Sequence, residues 1–374
     1  MSLVKEIVER FLFPNREVPF IPVLDGAFSP NQRLDESTIL GSEIASPDDM
    51  VYGPDGVLYI SSERKIFRCS GPSFETREVL VELPGNVGGL AQLQGTHLIA
   101  CVSGHGLFAI SMAGEVLLKL ESVGGKALAC LTSVTVASDG TVYATDGSAR
   151  NAPEEWLSDL MQNCSPSGRL IACKSNFSDA RVCMDGLNWP SGAVVSNDQS
   201  EVWICESWSY RLAAYSRQQE KLRTIIKNFT GYPGRIIQSP SEGYWMTFFA
   251  IRTQLTEFVI REREFCEQMM KSVPRELWIG PSLDGKFNYR EPTQVGRIKK
   301  LGIQKPWAPP RSYGLVARLD GLGEAVESLH SRVGGRIHGM TSICAARGRT
   351  LALSKGRNLL VELPNTNSGR SLEQ

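Results

Sequence analysis

The sequence of 374 residues lacks any apolar run of the length, about 18 residues, that a membrane-spanning helix requires. Residues 1–14 carry charged side chains where a secretory signal peptide would have an uninterrupted apolar block. Basic and acidic residues are balanced at 40 each, so there is no positive excess to drive nucleic-acid binding. We therefore predict no membrane span, no nucleic-acid partner and a cytoplasmic location.

Paired cysteine spacing is also absent. The nine cysteines are an odd number, contain no C-x-x-C pair and are scattered between Cys69 and Cys344. Most lie in apolar, strand-like stretches such as 202–205, where cysteine behaves as a small buried hydrophobe. This usage predicts reduced thiols without disulfides, as in cytoplasmic proteins. The chain also lacks a Walker loop and a dinucleotide-binding glycine motif, so no nucleotide cofactor is expected.

One short pattern recurs along the chain: an apolar strand, a tight turn containing Gly, Asp or Asn, and a second strand with β-branched or aromatic residues. Turns of the Asp-Gly type between alternating strands are a strong signal for a β-hairpin. The pattern occurs six times, over residues 49–60, 89–100, 134–144, 193–204, 235–246 and 342–353. The sequence therefore predicts six hairpins in series.

The spacing of these hairpins predicts an all-β architecture. Their entry points, Asp48, Gly88, Thr132, Ser191, Pro233 and Gly339, lie 40, 44, 59, 42 and 106 residues apart. Four-stranded propeller blades have periods of this size. We predict an N-terminal extension over 1–40, a six-bladed β-propeller over 41–364 and a flexible tail over 365–374. The long last interval holds an insertion at 253–310, in the fifth blade.

The insertion has helical character. Its apolar residues recur at steps of three and four, with charged residues between them, up to Pro274. The apolar positions are Leu255, Phe258, Val259, Cys266, Met269, Met270 and Val273. Three interpretations stay open: a helix packed on a blade with its methionines in the core, a lid across the propeller mouth, or a membrane-docking helix.

Several segments, in the correct order over about 40–364, resemble the strictosidine synthase-like branch of the gluconolactonase (SMP-30) superfamily. They are Ser46–Asp49, Ser138–Asp146, Trp189–Gly192, Ile204–Arg211, Gly231–Gly234 and Tyr313–Asp320. The resemblance implies a six-bladed propeller with a site at one end of its central channel. Characterised members of the superfamily include lactonases, arylesterase-type hydrolases and a plant enzyme that condenses an amine with an aldehyde.

The resemblance also implies a possible divalent cation, typically Ca²⁺. Asp48 and Glu206 match the carboxylate ligands, and Ser191 stands at a position where the family often has Asn. The other amide ligands are replaced, by Thr132-Ser133 in the third blade and by Gly234-Arg235 in the fifth. Two alternatives therefore stay open. Asp48, Ser191 and Glu206 hold a metal, or the two carboxylates pair with Arg235 or cap strand ends.

The plant enzyme uses a Glu at the entry to its last blade, and the resemblance places His338 at that position. A histidine can transfer protons near neutral pH, although the alternative is a simple hydrogen bond at a strand start. We predict a small-molecule hydrolase acting on a lactone or ester in the channel. Its predicted catalytic residues are His338, Glu206 and Arg235, and its predicted substrate contacts are Ser133, Ser191, His105 and Tyr232. A lyase or cyclase on the same scaffold, or a non-catalytic binding propeller, is the alternative; the oligomeric state is left open.

Overall fold

The structure, a computed structural model, describes residues 21–93, 96–285, 299–300, 303–305 and 308–364. These residues form six four-stranded antiparallel sheets. One edge strand of each sheet is innermost, and neighbouring innermost strands contact one another in a closed ring. The fold is a six-bladed β-propeller, as predicted.

The blades use 24 of the 28 strands of the described chain, in the following order from the innermost strand of each blade outward. The first blade contains β2 (Pro47–Tyr52), β3 (Leu58–Ser62), β4 (Lys65–Ser70) and β5 (Thr76–Glu82). The second contains β6 (Val87–Leu93), β7 (His97–Val102), β8 (Gly106–Ser111) and β9 (Val116–Leu120). The third contains β12 (Leu131–Val136), β13 (Val142–Asp146), β14 (Gly168–Cys173) and β15 (Arg181–Leu187). The fourth contains β16 (Pro190–Val195), β17 (Glu201–Glu206), β18 (Arg211–Ser216) and β19 (Leu222–Ile226). The fifth contains β20 (Gly231–Gln238), β21 (Tyr244–Ile251), β24 (Gly314–Leu319) and β25 (Ala325–Ser331). The sixth contains β26 (Met340–Ala346), β27 (Arg349–Ser354), β28 (Leu359–Glu362) and β1 (Thr38–Leu40).

The remaining elements are short. They are the hairpins β10 (Ser122–Val123) with β11 (Lys126–Ala127) and β22 (Lys299–Lys300) with β23 (Ile303–Gln304), the helices α1 (Trp156–Gln162), α2 (Gln254–Val259) and α3 (Arg263–Ser272), and the 3-10 turns Gly26–Phe28, Arg33–Glu36, Pro153–Glu155 and Arg275–Leu277. No helix among the described residues is long and apolar enough to cross a membrane.

Each predicted hairpin forms the two inner strands of one blade. In the first, β2 pairs with β3 in the register Val51↔Tyr59, and Gly56 closes the turn with a φ of 77°. A positive φ of this size suits glycine, which has no Cβ to clash. The inner strands are buried on both sides, as in the fully buried β3, because each blade packs against its two neighbours.

The ring is closed by pairing between distant parts of the chain. Strand β1 runs antiparallel to β28, with Thr38 opposite Glu362. Residues 38–40, expected in an N-terminal extension, are therefore the outermost strand of the sixth blade. A three-residue strand whose partner lies so far away in sequence carries no hairpin signal, so periodicity could not assign it. Residues 1–20 and the predicted tail at 365–374 lie outside the described residues.

The insertion leaves the fifth blade between β21 and β24. It contains two helices, α2 and α3, instead of one continuous helix. Their buried residues, including Cys266 and Met269, pack in one apolar cluster with Leu160 of α1 and with Tyr232 of the fifth blade. The insertion thus packs both on its own blade and on the helical excursion of the third blade.

All nine cysteines lie among the described residues and are unpaired, and Cys164 is the exposed one. Burial raises the pKa of Cys69 to about 11 and the pKa of Cys344 to about 12. A buried thiol that resists ionisation is a poor nucleophile.

We expect thiol titration of the denatured, non-reduced protein to give nine free groups. Under native conditions Cys164 should react first, because the other thiols are partly or fully buried. The measurement is the number and rate of groups modified by a chromogenic disulfide reagent. A denatured count of seven or fewer would show a disulfide and contradict the prediction.

Candidate functional site

The innermost strand of every blade carries a β-bulge at the same end. The register shifts lie between Pro47 and Met50, Val87 and Leu90, Leu131 and Ser133, Pro190 and Gly192, Pro233 and Ile236, and Met340 and Ser342. A bulge redirects a side chain out of the regular alternation of a strand and is frequent beside active sites. One bulged residue from each blade lines the same cavity, and together they surround it: Asp48, Gly88, Thr132, Ser191, Arg235 and Thr341.

This cavity, the upper cavity, has a volume of about 670 Å³. One side is aromatic and is formed by Trp156, Trp189 and Phe249. The opposite side, from the first two blades, is charged and polar, with Glu63, Arg64, Lys65, Glu82, Asn86 and Ser103. Such a volume, with an apolar wall and a few polar groups, suits a small organic molecule.

The 3-10 turn Pro153–Glu155 and the helix α1 border the upper cavity from above the third blade. Glu154 accepts hydrogen bonds from Asn86 Nδ2 at 2.6 Å and from Ser103 Oγ at 2.9 Å, which ties the turn to the second blade. Arg275 of the insertion pairs with Glu155 at 2.7 Å. The insertion therefore supports the turn at the cavity edge.

The guanidinium of Arg235 lies at the floor of the upper cavity. Its two Nη atoms donate four hydrogen bonds, to Asp48 O, Asp48 Oδ2, Thr132 O and Thr341 O, at 2.7–3.2 Å. Its Nε lies 3.0 Å from Asp49 Oδ2. Because the Nη donors are all used and Nε faces a carboxylate, no donor is left for a substrate. Arg235 also borders a second cavity of about 520 Å³ and separates it from the first.

Asp48 is the partner of two cations. Its Oδ2 accepts from Arg235, and its Oδ1 accepts from Lys355 Nζ at 2.7 Å. Burial by itself raises the pKa of Asp48, but the charges of Lys355 and Arg235 outweigh it and hold this pKa well below its usual value. Asp48 is therefore ionised at neutral pH and is a weak base.

Asp49, the second residue of the same bulge, lies beneath Asp48 and is buried. It accepts hydrogen bonds from Ser342 Oγ, from the Met50 amide and from the Leu90 amide. Burial raises its pKa despite the nearby Arg235. Conversely, the two carboxylates outweigh burial and raise the pKa of Arg235 above its usual value.

The expected divalent cation does not fit these residues as they are arranged. Both oxygens of Asp48 already bind cationic side chains, and Ser191 Oγ donates to Pro233 O at 2.7 Å. The positive guanidinium of Arg235 is held by the oxygens that a metal would use, and it would repel a dication. No group of three or more His, Cys, Asp or Glu side chains suited to a metal occurs in the described part of the chain.

The structure brings three of the predicted site residues, Asp48, Ser191 and Arg235, to the upper cavity. It does not bring Glu206 there. Glu206 is buried and accepts from Arg211 Nε at 2.8 Å and from the Asn188 amide at 2.9 Å. The carboxylate is thus bound within its own blade and does not line the cavity that Asp48 and Ser191 share.

His338 also lies away from the upper cavity. It is buried, and its Nε2 lies 3.1 Å from Arg332 O, a carbonyl that can only accept. Nε2 therefore carries a proton, and Nδ1 is hydrogen-bonded to Ser312 Oγ at 2.7 Å. Both nitrogens are occupied by structural hydrogen bonds, which matches the alternative of a histidine that bonds at a strand start.

The predicted substrate contacts are dispersed. Ser133 accepts from the Ala193 amide and borders the second cavity, whereas His105 is exposed on a turn of the second blade. Tyr232 is fully buried, stacks on Phe249 and hydrogen-bonds to Glu257 beneath the insertion. Ser191 alone among the four borders the upper cavity.

Sequence reasoning missed Lys355, which directly follows the second strand of the sixth blade. One of its three ammonium hydrogens bonds to Asp48, and the side chain borders the upper cavity with about 30% of its surface exposed. Glu206 is a candidate because it matches a carboxylate of the family that the sequence resembles. Its equivalent in the register of the sixth blade is Ser354, so Lys355 lies one residue beyond the position that such a match singles out.

The fold defines a class. Solved structures of a gluconolactonase from Xanthomonas campestris (TM-score 0.57, 14% identity, 89% of this chain and 91% of that one) and of a regucalcin from Agrobacterium tumefaciens (TM-score 0.56, 12% identity, 87% and 93%) have the same propeller fold. Within this class the strictosidine synthase family model matches residues 132–220, and the strictosidine synthase-like N-terminal model matches residues 26–64. These matches confirm the resemblance that the sequence indicated.

Curated relatives agree with it. The chain is 26% identical over 257 residues to an adipocyte plasma membrane-associated protein of Salmo salar (62% of this chain, 60% of the relative). It is 25% identical over 211 residues to strictosidine synthase-like protein 4 of Arabidopsis thaliana (55% and 57%). The matches therefore span less than two thirds of these relatives' lengths.

Proposed function

We propose that the protein is a small-molecule enzyme that acts on an ester or lactone in the upper cavity without a divalent cation. The observation that carries the proposal is the ammonium of Lys355, which is held by Asp48 and has two hydrogens left for a ligand. Enzyme-type relatives and neighbours support a catalytic role. The aromatic wall would hold the apolar part of the substrate.

In this proposal Lys355 binds the carbonyl oxygen. Water adds to the carbonyl carbon, and the oxyanion that forms is stabilised by the ammonium, whose position Asp48 fixes. Collapse of the intermediate breaks the ester C–O bond; the alcohol leaves with one proton of the water and the acid retains the hydroxyl. Because Asp48 is a weak base, the main contribution is electrostatic, a kind of stabilisation worth about 10²–10³ in rate for one donor.

A second candidate is ligand binding without turnover. It is favoured by the positions of the histidines, none of which borders the upper cavity among the described residues. The binding mode would be the same, with the ligand between the aromatic wall and Lys355, but no proton transfer would follow.

We expect the Lys355→Met variant to lower kcat/KM for a hydrolysed ester or lactone by about 100-fold, because it removes the charge that stabilises the oxyanion. The measurement is the rate of turnover of a panel of aryl esters and lactones, in chelator and in calcium. We expect the same rates in both. Lys174→Met is the matched control, since Lys174 pairs with Asp179 on the exposed surface.

Equal rates for Lys355→Met and the parent would contradict the role of Lys355. Turnover that requires calcium would contradict the metal-free proposal. If the panel gives no turnover but a panel compound quenches tryptophan fluorescence in the parent and less in Lys355→Met, the second candidate is supported and the enzyme proposal is not.

A further inference from the structure

Five oxygen atoms converge on the Arg235 guanidinium from three blades. They are Asp48 O, Asp48 Oδ2, Asp49 Oδ2, Thr132 O and Thr341 O. Two carboxylates and three backbone carbonyls are a ligand set that hard divalent cations use in proteins. The bulges of the first, third and sixth blades bring these oxygens to the channel axis, and Arg235 enters from the fifth.

We propose that Arg235 is the resident cation of an oxygen-lined site on the channel axis, which binds a divalent cation once the arginine side chain is removed. The inference goes beyond the proposed function and does not depend on it. It explains why the chain can hold two adjacent carboxylates, Asp48 and Asp49, at a nearly buried place: Arg235 contacts both, and Lys355 contacts the more exposed one.

Charge balance excludes a dication from the parent protein. Arg235 and Lys355 together carry two positive charges, which equal the charge of two ionised carboxylates. A calcium ion added to this arrangement would meet two cations at close range. Truncating Arg235 removes the shared cationic partner of three carbonyls and two carboxylates. Asp48 then retains Lys355 and Asp49 retains the Ser342 hydroxyl and two amides, but the loss of a donor to buried acceptors is costly.

Arg169 provides a comparison within the same protein. It is also buried and binds one carboxylate, of Asp146, together with the carbonyls of Val123 and Ala127. The difference is the number of carboxylates, one instead of two. Arg169→Ala is therefore a matched control: it removes a buried arginine from carbonyl and carboxylate partners without leaving a dicarboxylate site.

The test compares the melting temperatures of the parent, Arg235→Ala and Arg169→Ala in chelator, in calcium chloride and in magnesium chloride. We expect the parent to be unaffected by calcium and Arg235→Ala to melt lower in chelator. Calcium at about 100 times its dissociation constant should raise the melting temperature of Arg235→Ala by roughly 3–4 °C. Arg169→Ala should show no such response, and Asp48→Asn combined with Arg235→Ala should lose it.

Terbium luminescence sensitised by tryptophan gives a direct measure, because Trp189 lines the same cavity. We expect a calcium-displaceable signal from Arg235→Ala and none from the parent. Arg235→Ala could fail to fold in both chelator and calcium. In that case Arg235→Gly, refolded in the presence of calcium, is tested in its place. Failure of both variants to fold with calcium would overturn the proposal. A parent protein destabilised by chelator, or a folded Arg235→Ala that does not respond to either cation, would also overturn it.

Discussion

The Arg252→Met variant is expected to lose about 3–5 kcal/mol of unfolding free energy and to release the helical insertion from the fifth blade. Arg252 directly follows β21 and pairs with Glu257 of α2 at 3.2 Å, with both side chains at most 6% exposed. It also donates to Asn228 Oδ1 and Phe229 O, and it lies 3.7 Å above the ring of Tyr210. Without Arg252, Glu257 would be a buried carboxylate with hydroxyl partners only.

Two measurements check this expectation: urea unfolding, and limited trypsin digestion followed at sites within 254–277. Arg263→Met is the control in the same insertion, because the Arg263–Glu267 pair is exposed and such pairs contribute at most about 1 kcal/mol. Glu257→Gln retains an acceptor for Tyr210, so it should cost less than Arg252→Met. Equal stability and equal digestion of Arg252→Met and Arg263→Met would refute the anchoring role.

A second large effect should be seen as the pH falls. Burial, together with the charge of Arg332, lowers the pKa of His330 from 6.5 to about 4. Ser328 Oγ donates to Ala27 O, so His330 Nε2 donates to Ser328, and His330 Nδ1 accepts from Tyr313. The fold thus holds a neutral histidine, and protonation would take its acceptor away from the Tyr313 hydroxyl.

The direction in which stability changes with pH follows from the protons bound by the folded and unfolded chains. Between about pH 6.5 and 4 the unfolded chain is protonated at this position and the folded chain is not, so acid favours unfolding. The stability that His330 contributes is complete above pH 6.5, falls through this window and changes no further below about pH 4. The gap between the two pKa values corresponds to about 3 kcal/mol.

Urea unfolding at pH 7, 5.5 and 4 should show this loss in the parent, in addition to the losses from carboxylates. His330→Gln lacks the titrating group, so its stability should fall by about 3 kcal/mol less over the same range. His105→Gln, at an exposed site, should behave like the parent. Parallel pH profiles for the parent and His330→Gln would disprove the assignment.

The fold was predictable because its signals are local. Turns such as Asp139-Gly140, with Gly140 at a φ of 82°, lie between two short apolar strands, and six such signals in series define six blades. The break between α2 and α3 was not predictable from periodicity, since apolar residues continue at helical spacing across it. The buried pair of Arg252 and Glu257, which positions α2, joins residues that give no signal in a periodicity plot.

Positions at strand entries predicted which residues line the upper cavity, whereas the expected metal ligands did not predict how those residues are bound. Asp48, Thr132, Ser191 and Arg235 meet because they occupy equivalent bulges. Glu206 is bound instead by Arg211, its direct cross-strand partner in the pairing of β17 with β18. That partner lies five residues away in sequence, so its competition for the carboxylate could have been noticed. The partner of His338, Ser312, is contributed by a segment after the insertion, and its position required the three-dimensional fold.

The pairing of β1 with β28 has a consequence for the order of folding. During synthesis the strand Thr38–Leu40 emerges early, but Leu359–Glu362, its partner, comes after the other five blades. Closing so long a segment of chain has a high entropic cost and is slow compared with forming a local hairpin. We therefore expect β1 to stay unpaired through most of translation, which leaves a strand edge open to aggregation until the sixth blade is complete.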